Sequence, residues 1–269
     1  MRAVYLSTIN TIMRFPLHIS FFAILLAFGG VQAQSPQVTQ LVAKGDVADL
    51  AFKPDDALIH YLPAVKLEPN NVPLLLRIAR QYRHLLSDAK TDRVKIVMGE
   101  ISLGYALRAA KLAPKDSEAQ LSPAICYGKM LPFQGKQQQF DESLLIKTAA
   151  DLSLKLNPLN DNAWNVLGCW HRGVANVGSL KRAVGGAIYG KLPVSTFEEA
   201  VKCFDKAIAI HPARLRHFIE LGKTYALMGQ HASARLHLTK GIGLPETEKD
   251  DAALKAQGRA VLATLPKAP

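Results

Sequence analysis

Residues 197–212 read FEEAVKCFDKAIAIHP, and residues 218–225 read FIELGKTY. The second stretch fits the pattern W-x2-L-G-x2-Y, with Phe218 in the tryptophan position, and Ala234 follows Ala200 by 34 residues. This pattern and this period are typical of the tetratricopeptide repeat, which is a pair of helices. Small residues let the paired helices approach closely, and the proline that closes the first stretch cannot continue a helix. The stretch therefore predicts an all-α, tetratricopeptide-like helical-repeat solenoid (α-α superhelix).

The same pattern recurs upstream with lower fidelity. Four prolines, Pro69, Pro114, Pro158 and Pro212, each follow a run that suits the second helix of a pair. Trp164 begins another close match to W-x2-L-G. The spacings between these prolines are 45, 44 and 54 residues, which exceed the 34 of a regular repeat. The sequence therefore predicts about four helix pairs that carry three insertions.

The three insertions have different characters. Residues 92–112 have a helical period, so the first excess lengthens a helix. The second falls at residues 131–139 and predicts a loop, and Pro123 is expected to break the start of the preceding helix. The third, residues 173–194, carries five glycines and predicts a short helix near residues 179–189. Insertions between repeat helices often carry function, although a plain long connection is the alternative.

The two ends of the chain have their own signals. Residues 1–33 read as a signal peptide, with arginines before an apolar run and a small-residue site that predicts cleavage after Ala33. Met13 is a candidate for the true start. Residues 34–269 then form the repeat domain, exported to a periplasm or cell surface. An uncleaved membrane anchor and a mitochondrial leader are the alternatives, and the anchor would allow membrane association.

Two further signals concern helix ends. The spacing Ser195-x-x-Glu198 predicts a capping box at the start of the helix that follows. The tail from Glu246 to Ala263 predicts a C-terminal capping helix, because acidic residues at its start complement a helix N-terminus. Its apolar residues would cover the last repeat, as a terminal repeat requires.

The charge of the chain favours acidic partners. Its net charge is +11, and loss of the two arginines in residues 1–33, which hold no acidic residue, leaves +9. A protein or peptide of acidic character is the expected partner, with anionic lipid as a second choice. No nucleic-acid partner is expected, and simple solubility is an alternative reason for the charge.

Catalytic and cofactor-binding patterns are incomplete. Residues 185–192, GGAIYGKL, resemble a phosphate-binding loop, but Leu192 replaces the Ser or Thr that would hold magnesium and no strand precedes the loop. Four histidines lack metal-ligand spacing and are predicted to lie on the surface; they are His211, His217, His231 and His237. No sequence pattern indicates a set of catalytic residues. We therefore predict a chain that is not an enzyme and takes no cofactor.

Three cysteines, Cys126, Cys169 and Cys203, sit in apolar helical contexts without C-x-x-C spacing. They are predicted to be small buried hydrophobes, with a disulfide or a reactive thiol as the alternative.

The sequence resembles the regulator of microtubule dynamics family over residues 40–263. The resemblance rests on segments spread along the chain: AIC at 124–126, LGCW at 167–170, KR at 181–182, PVSTFEEA at 193–200 and LGKTY at 221–225. It implies a divergent tetratricopeptide array that binds proteins: microtubules for some eukaryotic members, and organelle tethering with lipid binding for another. An exported protein would meet no microtubules, so we expect the fold and the binding character to be shared, and not that partner.

The repeat register also predicts a binding surface. In tetratricopeptide arrays the first helix of each pair lines the concave face, so fixed positions relative to the tryptophan position point inward. Counting from Leu75, Trp164 and Phe218 predicts a basic groove, whose fork-shaped guanidinium donors suit a carboxylate or phosphate. Alternatively these are ordinary solvated residues, or they pair with acids such as Glu220. The predicted site comprises Arg80, Arg83, Asn165, Arg172, Arg216 and Lys223, with Lys181 and Arg182 of the insertion closing one end.

Overall fold

The computed structural model describes residues 35–177 and 193–266. The predicted signal peptide lies outside these residues, as do Lys181, Arg182 and the short helix predicted near residues 179–189. The described residues form eleven α-helices. These are α1 (Pro36–Leu50), α2 (Pro54–Leu67), α3 (Val72–Asp88), α4 (Asp92–Leu112), α5 (Ser117–Met130), α6 (Lys136–Leu156), α7 (Asp161–Ala175), α8 (Phe197–Ile210), α9 (Leu215–Leu227), α10 (His231–Gly243) and α11 (Asp251–Thr264).

Consecutive helices pack as five pairs followed by a single helix. The pairs are α1 with α2, α3 with α4, α5 with α6, α7 with α8 and α9 with α10, and α11 packs on the last pair. This confirms the predicted all-α helical-repeat solenoid. The described part holds one pair more than the four or so that the sequence indicated, because α1 packs against α2 as a complete first pair.

Glycines in three of the first helices, α1, α7 and α9, let those pairs approach closely. A Cβ added at Gly168 would lie 2.6 Å from the ring of Phe204, and one at Gly222 would lie 2.6 Å from Leu238. A Cβ at Gly45 would meet the ring of Tyr61 in the same way. The predicted pairing of small with large residues is therefore confirmed, since these large side chains are fully buried. Such interdigitation holds paired helices at a fixed separation.

Three local details differ from the sequence expectations. The capping box lies one residue later, at Thr196 and Glu199, because Ser195 instead donates from its side chain to Glu199. Pro123 does not break its helix: it lies buried within α5, where packing outweighs the loss of one backbone hydrogen bond. The predicted loop at 131–139 shortens to a 3-10 turn over residues 131–133, and α6 takes up residues from Lys136 onward.

The predicted capping helix is confirmed as α11. Leu254, Val261 and Leu262 pack against a buried cluster that includes Ile219 of α9. The helix begins at Asp251 rather than at Glu246. The acidic residues before it form a connecting loop, because the Asp251 carboxylate accepts hydrogen bonds from two backbone N–H groups of that loop.

Candidate binding site on the first-helix face

Helices α1, α3, α5, α7 and α9, the first of each pair, contribute to two neighbouring clefts, and the second helix α6 lines one of them as well. We call the surface around both clefts the first-helix face. The first cleft has a volume of about 640 Å³ and lies between α1, α3 and α5. The second cleft, of about 750 Å³, lies between α5, α6 and α7 and reaches Arg216 of α9. Ile125 of α5 lines both clefts. The surface that the repeat register predicts as inward-facing is therefore a real concavity at these places.

Arg80 lines the first cleft as predicted and forms an ion pair with Asp49 of α1. A second pair lies beside it, with 2.8 Å between Arg77 Nε and Asp46 Oδ1. Burial would raise the pKa of Asp46, but hydrogen bonds from Arg77 and Tyr61 outweigh burial and lower it. Two arginines at this end of the face are therefore neutralised by two aspartates, and the groove is not uniformly basic here.

Arg83 also lines the first cleft, but it has different partners. Its Nη1 lies 3.2 Å from Ser122 Oγ and 3.6 Å from Cys126 Sγ, both on α5. Within residues 35–177 and 193–266, no carboxylate forms an ion pair with it. Burial is the main cause that lowers the pKa of Lys129, and the nearby positive charge of Arg83 lowers it further. The half-buried guanidinium of Arg83 therefore retains donors for an acidic group.

Arg172 and Lys223 come together on one buried carboxylate. Arg172 Nη2 lies 2.5 Å from Glu220 Oε2, and Lys223 Nζ lies 3.0 Å from Glu220 Oε1. Burial alone would raise the pKa of Glu220, but these two cations lower it to about 2. Glu220 is only 6% exposed, so the three groups form an internal ion-pair network. The alternative that these cations pair with Glu220 is thus the arrangement that the structure has.

Asn165 lines the second cleft and belongs to a buried polar chain. Its Nδ2 lies 3.1 Å from His217 Nδ1, and His217 Nε2 lies 2.8 Å from Asp161 Oδ2. Burial lowers the pKa of His217, so the ring is neutral and its Nε2–H donates to Asp161. The prediction that His217 lies on the surface is wrong, because its hydrogen bonds satisfy both ring nitrogens inside the core.

Apart from Glu220, the acids that face these cations were not predicted from the sequence. Arg216 lies in the second cleft and pairs with Glu248, with 3.0 Å between Nη2 and Oε2. Asp46 and Asp49 could have been found by extending the repeat register to α1, because Gly45 precedes Tyr61 by 16 residues, as Gly222 precedes Leu238. The binding role of the predicted residues stays a prediction.

Among the residues that the structure describes, no group of three His, Cys, Asp or Glu could hold a metal ion. Burial, with Glu220 nearby, raises the pKa of the Cys169 thiol to about 11, and burial does the same for Cys203. Such thiols stay protonated at neutral pH and are poor nucleophiles. Cys126, Cys169 and Cys203 are free, and Cys126 and Cys203 are buried as predicted.

A model of a known protein family matches most of the chain. The family model described as Regulator of microtubule dynamics protein 1-3 matches residues 37–266. Regulator of microtubule dynamics protein 1 of Mus musculus is 27% identical over 200 residues, which cover 74% of this chain and 66% of the relative. Regulator of microtubule dynamics protein 2 of Homo sapiens is 22% identical, covering 73% and 48% respectively. The chain spans about two thirds or less of the length of these relatives.

Solved structures agree with the fold. A thermophilic TPR protein of Thermus thermophilus superposes with a TM-score of 0.61 at 14% identity, covering 84% of this chain and 99% of that protein. At this identity the likeness concerns the fold alone, and it supports the tetratricopeptide-like solenoid.

Proposed function

The chain belongs to the Regulator of microtubule dynamics protein 1-3 family, and on that premise we propose that it is a non-catalytic protein-binding adaptor or scaffold. Its first-helix face binds a segment of acidic character. The observation that carries this proposal is Arg83, which lines the first cleft with a hydroxyl and a thiol as its hydrogen-bond partners. A guanidinium presents forked donors that match a carboxylate, so an acidic side chain of a partner completes this site.

The cellular location that we propose follows from residues 1–33 and not from the related proteins. The relatives are named as regulators of microtubule dynamics, but this chain spans only part of their length. Residues 1–33 have the pattern of a signal peptide, so we place the mature protein in a periplasm or at a cell surface. We therefore do not propose microtubules as a partner of this chain. In the described part, no helix has the length and apolar character needed to span a bilayer.

A matched pair of variants tests the role of Arg83. Tagged full-length protein carrying Arg83→Gln is compared with Arg93→Gln, since Arg93 is exposed on α4 and both changes remove one positive charge. Copurifying proteins are quantified by mass spectrometry. We expect Arg83→Gln to lose partner protein several-fold and Arg93→Gln to behave like the unmodified chain. Retention should also fall as salt is raised, because exposed charge pairs are screened. Equal retention by the two variants would overturn the proposal.

Arg172 and Lys223 are unsuitable for such a test. Both hold the buried Glu220, so their reversal to glutamate would place three carboxylates together and unfold the chain.

A second candidate function rests on the second cleft. Apolar side chains such as Leu131, Ile146 and Trp170 line it, together with the cations Lys129 and Arg216. A cleft of about 750 Å³ with this lining suits the acyl chain and acidic headgroup of an anionic lipid. The second candidate is therefore a lipid-binding or lipid-transferring solenoid.

Cleft-filling variants separate the two candidates. Gly128 of α5 lines the second cleft, whereas Gly104 of α4 does not. A Cβ at either position meets no described heavy atom within 4 Å. If the cleft holds lipid, organic extracts of the full-length protein contain phospholipid, Gly128→Trp abolishes it and Gly104→Trp does not. Extracts without lipid from folded unmodified protein would exclude this second candidate.

A further inference from the structure

The loop between α10 and α11 carries an acidic sequence that reaches far from its own position in the chain. We call residues 246–250, which read ETEKD, the acidic loop. Asp250 Oδ2 lies 2.6 Å from Lys129 Nζ of α5, across 121 residues of sequence. Lys249 Nζ lies 2.6 Å from Asp88 Oδ1 at the end of α3, across 161 residues. The acidic loop therefore lies against the first-helix face rather than at the C-terminal end alone.

The carboxylate of Glu248 meets two arginines at the start of α9. Its Oε1 lies 3.1 Å from Arg214 Nε, and its Oε2 lies 3.0 Å from Arg216 Nη2. Arg216 and Lys129 both line the second cleft. Two carboxylates separated by one residue, Glu248 and Asp250, thus pair with two cations of this cleft.

These ion pairs are partly shielded from water. The side chains of Asp250 and Lys129 are 15% and 22% exposed. Burial would raise the pKa of Asp250, but His84 and Lys129 outweigh it and hold that pKa well below its ordinary value. Partly desolvated, charge-assisted contacts of this kind are stronger than exposed pairs, which contribute little.

We infer that the acidic loop is an intramolecular ligand of the first-helix face, and that the external partner of this face is a peptide segment with the pattern acid-x-acid that displaces the loop. This inference rests on the proposed function. Glu248 and Asp250 show which chemistry the cations accept. Arg83, near Lys129, has no carboxylate partner in the described residues, so an incoming segment can gain a contact that the loop does not make. Because the loop is tethered, it competes at a high effective concentration, and free partners must bind more tightly to replace it.

A peptide in trans tests the competition directly. The probe is a labelled, end-blocked peptide of residues 244–251, LPETEKDD, titrated at low salt into full-length protein and followed by fluorescence anisotropy. The variant Glu248→Gln with Asp250→Asn removes the charges of the loop and should bind the peptide at least ten-fold more tightly than the unmodified chain. Glu246→Gln is the matched control, because Glu246 pairs with Lys255 of α11 and not with the cleft. This control should bind like the unmodified chain.

Two further readouts decide the outcome whatever the stability of the double variant. In the unmodified protein, excess peptide should speed hydrogen exchange in residues 246–251, where the N–H groups of Thr247 and Glu248 are bonded to Asp251. A neutral peptide, with Gln and Asn in place of Glu248 and Asp250, should neither bind tightly to the double variant nor speed this exchange. Unchanged exchange, or equal binding of the neutral peptide, would overturn the inference. A partner that depends on Arg83 while the peptide has no effect would leave the proposed function standing and refute this inference alone.

Discussion

Replacing Gly168 with alanine tests how closely α7 and α8 must approach. A Cβ at this position would lie 2.6, 2.7 and 2.8 Å from three ring atoms of Phe204. Ordinary contacts of a Cβ lie at 3.4–4 Å, and the Phe204 ring is fully buried, so the ring must move within a packed core. Overpacking of this kind costs about 1–3 kcal/mol.

The control for this change is Gly104→Ala in α4, where a Cβ meets no described heavy atom within 4 Å. Both changes gain about 1 kcal/mol from the greater helix propensity of alanine. The difference between them therefore isolates the packing cost, and Gly168→Ala should be less stable than Gly104→Ala by about 1–3 kcal/mol. For a chain of this size that is about 2–4 °C in melting temperature per kcal/mol. Circular dichroism at 222 nm during thermal and urea unfolding measures it.

A second substitution shows whether the ring causes the effect. Phe204→Leu removes the ring atoms that Gly168→Ala would meet, so the double variant should lose less stability than the sum of the single variants. Equal stability of Gly168→Ala and Gly104→Ala, or strict additivity with Phe204→Leu, would refute the packing between these two helices.

Two other predictions follow from the structure, and one follows from the sequence of residues 1–33. Trp170 is 7% exposed and its Nε1 donates to Ser143, so Trp170→Ala should lower the free energy of unfolding by about 3–5 kcal/mol. Trp164 is only half-buried, so Trp164→Ala should lower it less. Urea unfolding compares the two variants, and a larger loss of stability in Trp164→Ala would contradict this reasoning. Glu220 has a folded-state pKa of about 2 against an ordinary 4.5, so its stabilisation, on the order of 3 kcal/mol, is present above pH 4.5 and is lost as pH falls towards 2. The stability gap between the unmodified chain and Glu220→Gln should therefore narrow on acidification, and a constant gap would speak against the buried network. Intact-mass measurement of exported protein should show Gln34 as the first residue, while a retained apolar run would support an anchor.

The repeat architecture could be predicted because its signals are local and periodic. The prolines after α2, α4, α6 and α8 end second helices at fixed distances from small and aromatic residues, and the match at Trp164 sets the register of the fourth pair. Such signals depend on neighbours within one helix pair. They survive irregular spacing, since an insertion moves a repeat along the chain without changing its internal pattern.

The charge of the face could not be predicted in the same way. Asp49 meets Arg80 across 31 residues, and Asp250 meets Lys129 across 121 residues. Those pairs depend on how successive repeats stack and on where the acidic loop lies against the other helices. The sequence of a single repeat predicts neither arrangement. The cations were therefore found from the sequence, as was Glu220, which pairs with Arg172 and Lys223, but the partners of Arg80 and Arg216 were not.

Site-specific photocrosslinking tests the central claim, which is that the first-helix face is where partner proteins bind. A photoreactive amino acid replaces Leu50, which lines the first cleft and is 82% exposed, or Leu236, which is 67% exposed on the second helix α10. Full-length protein is irradiated in its own cells, and the adducts are identified by mass spectrometry. We expect a discrete partner adduct from position 50 and none from position 236. Adducts from position 236 alone, or the same adducts from both positions, would contradict it.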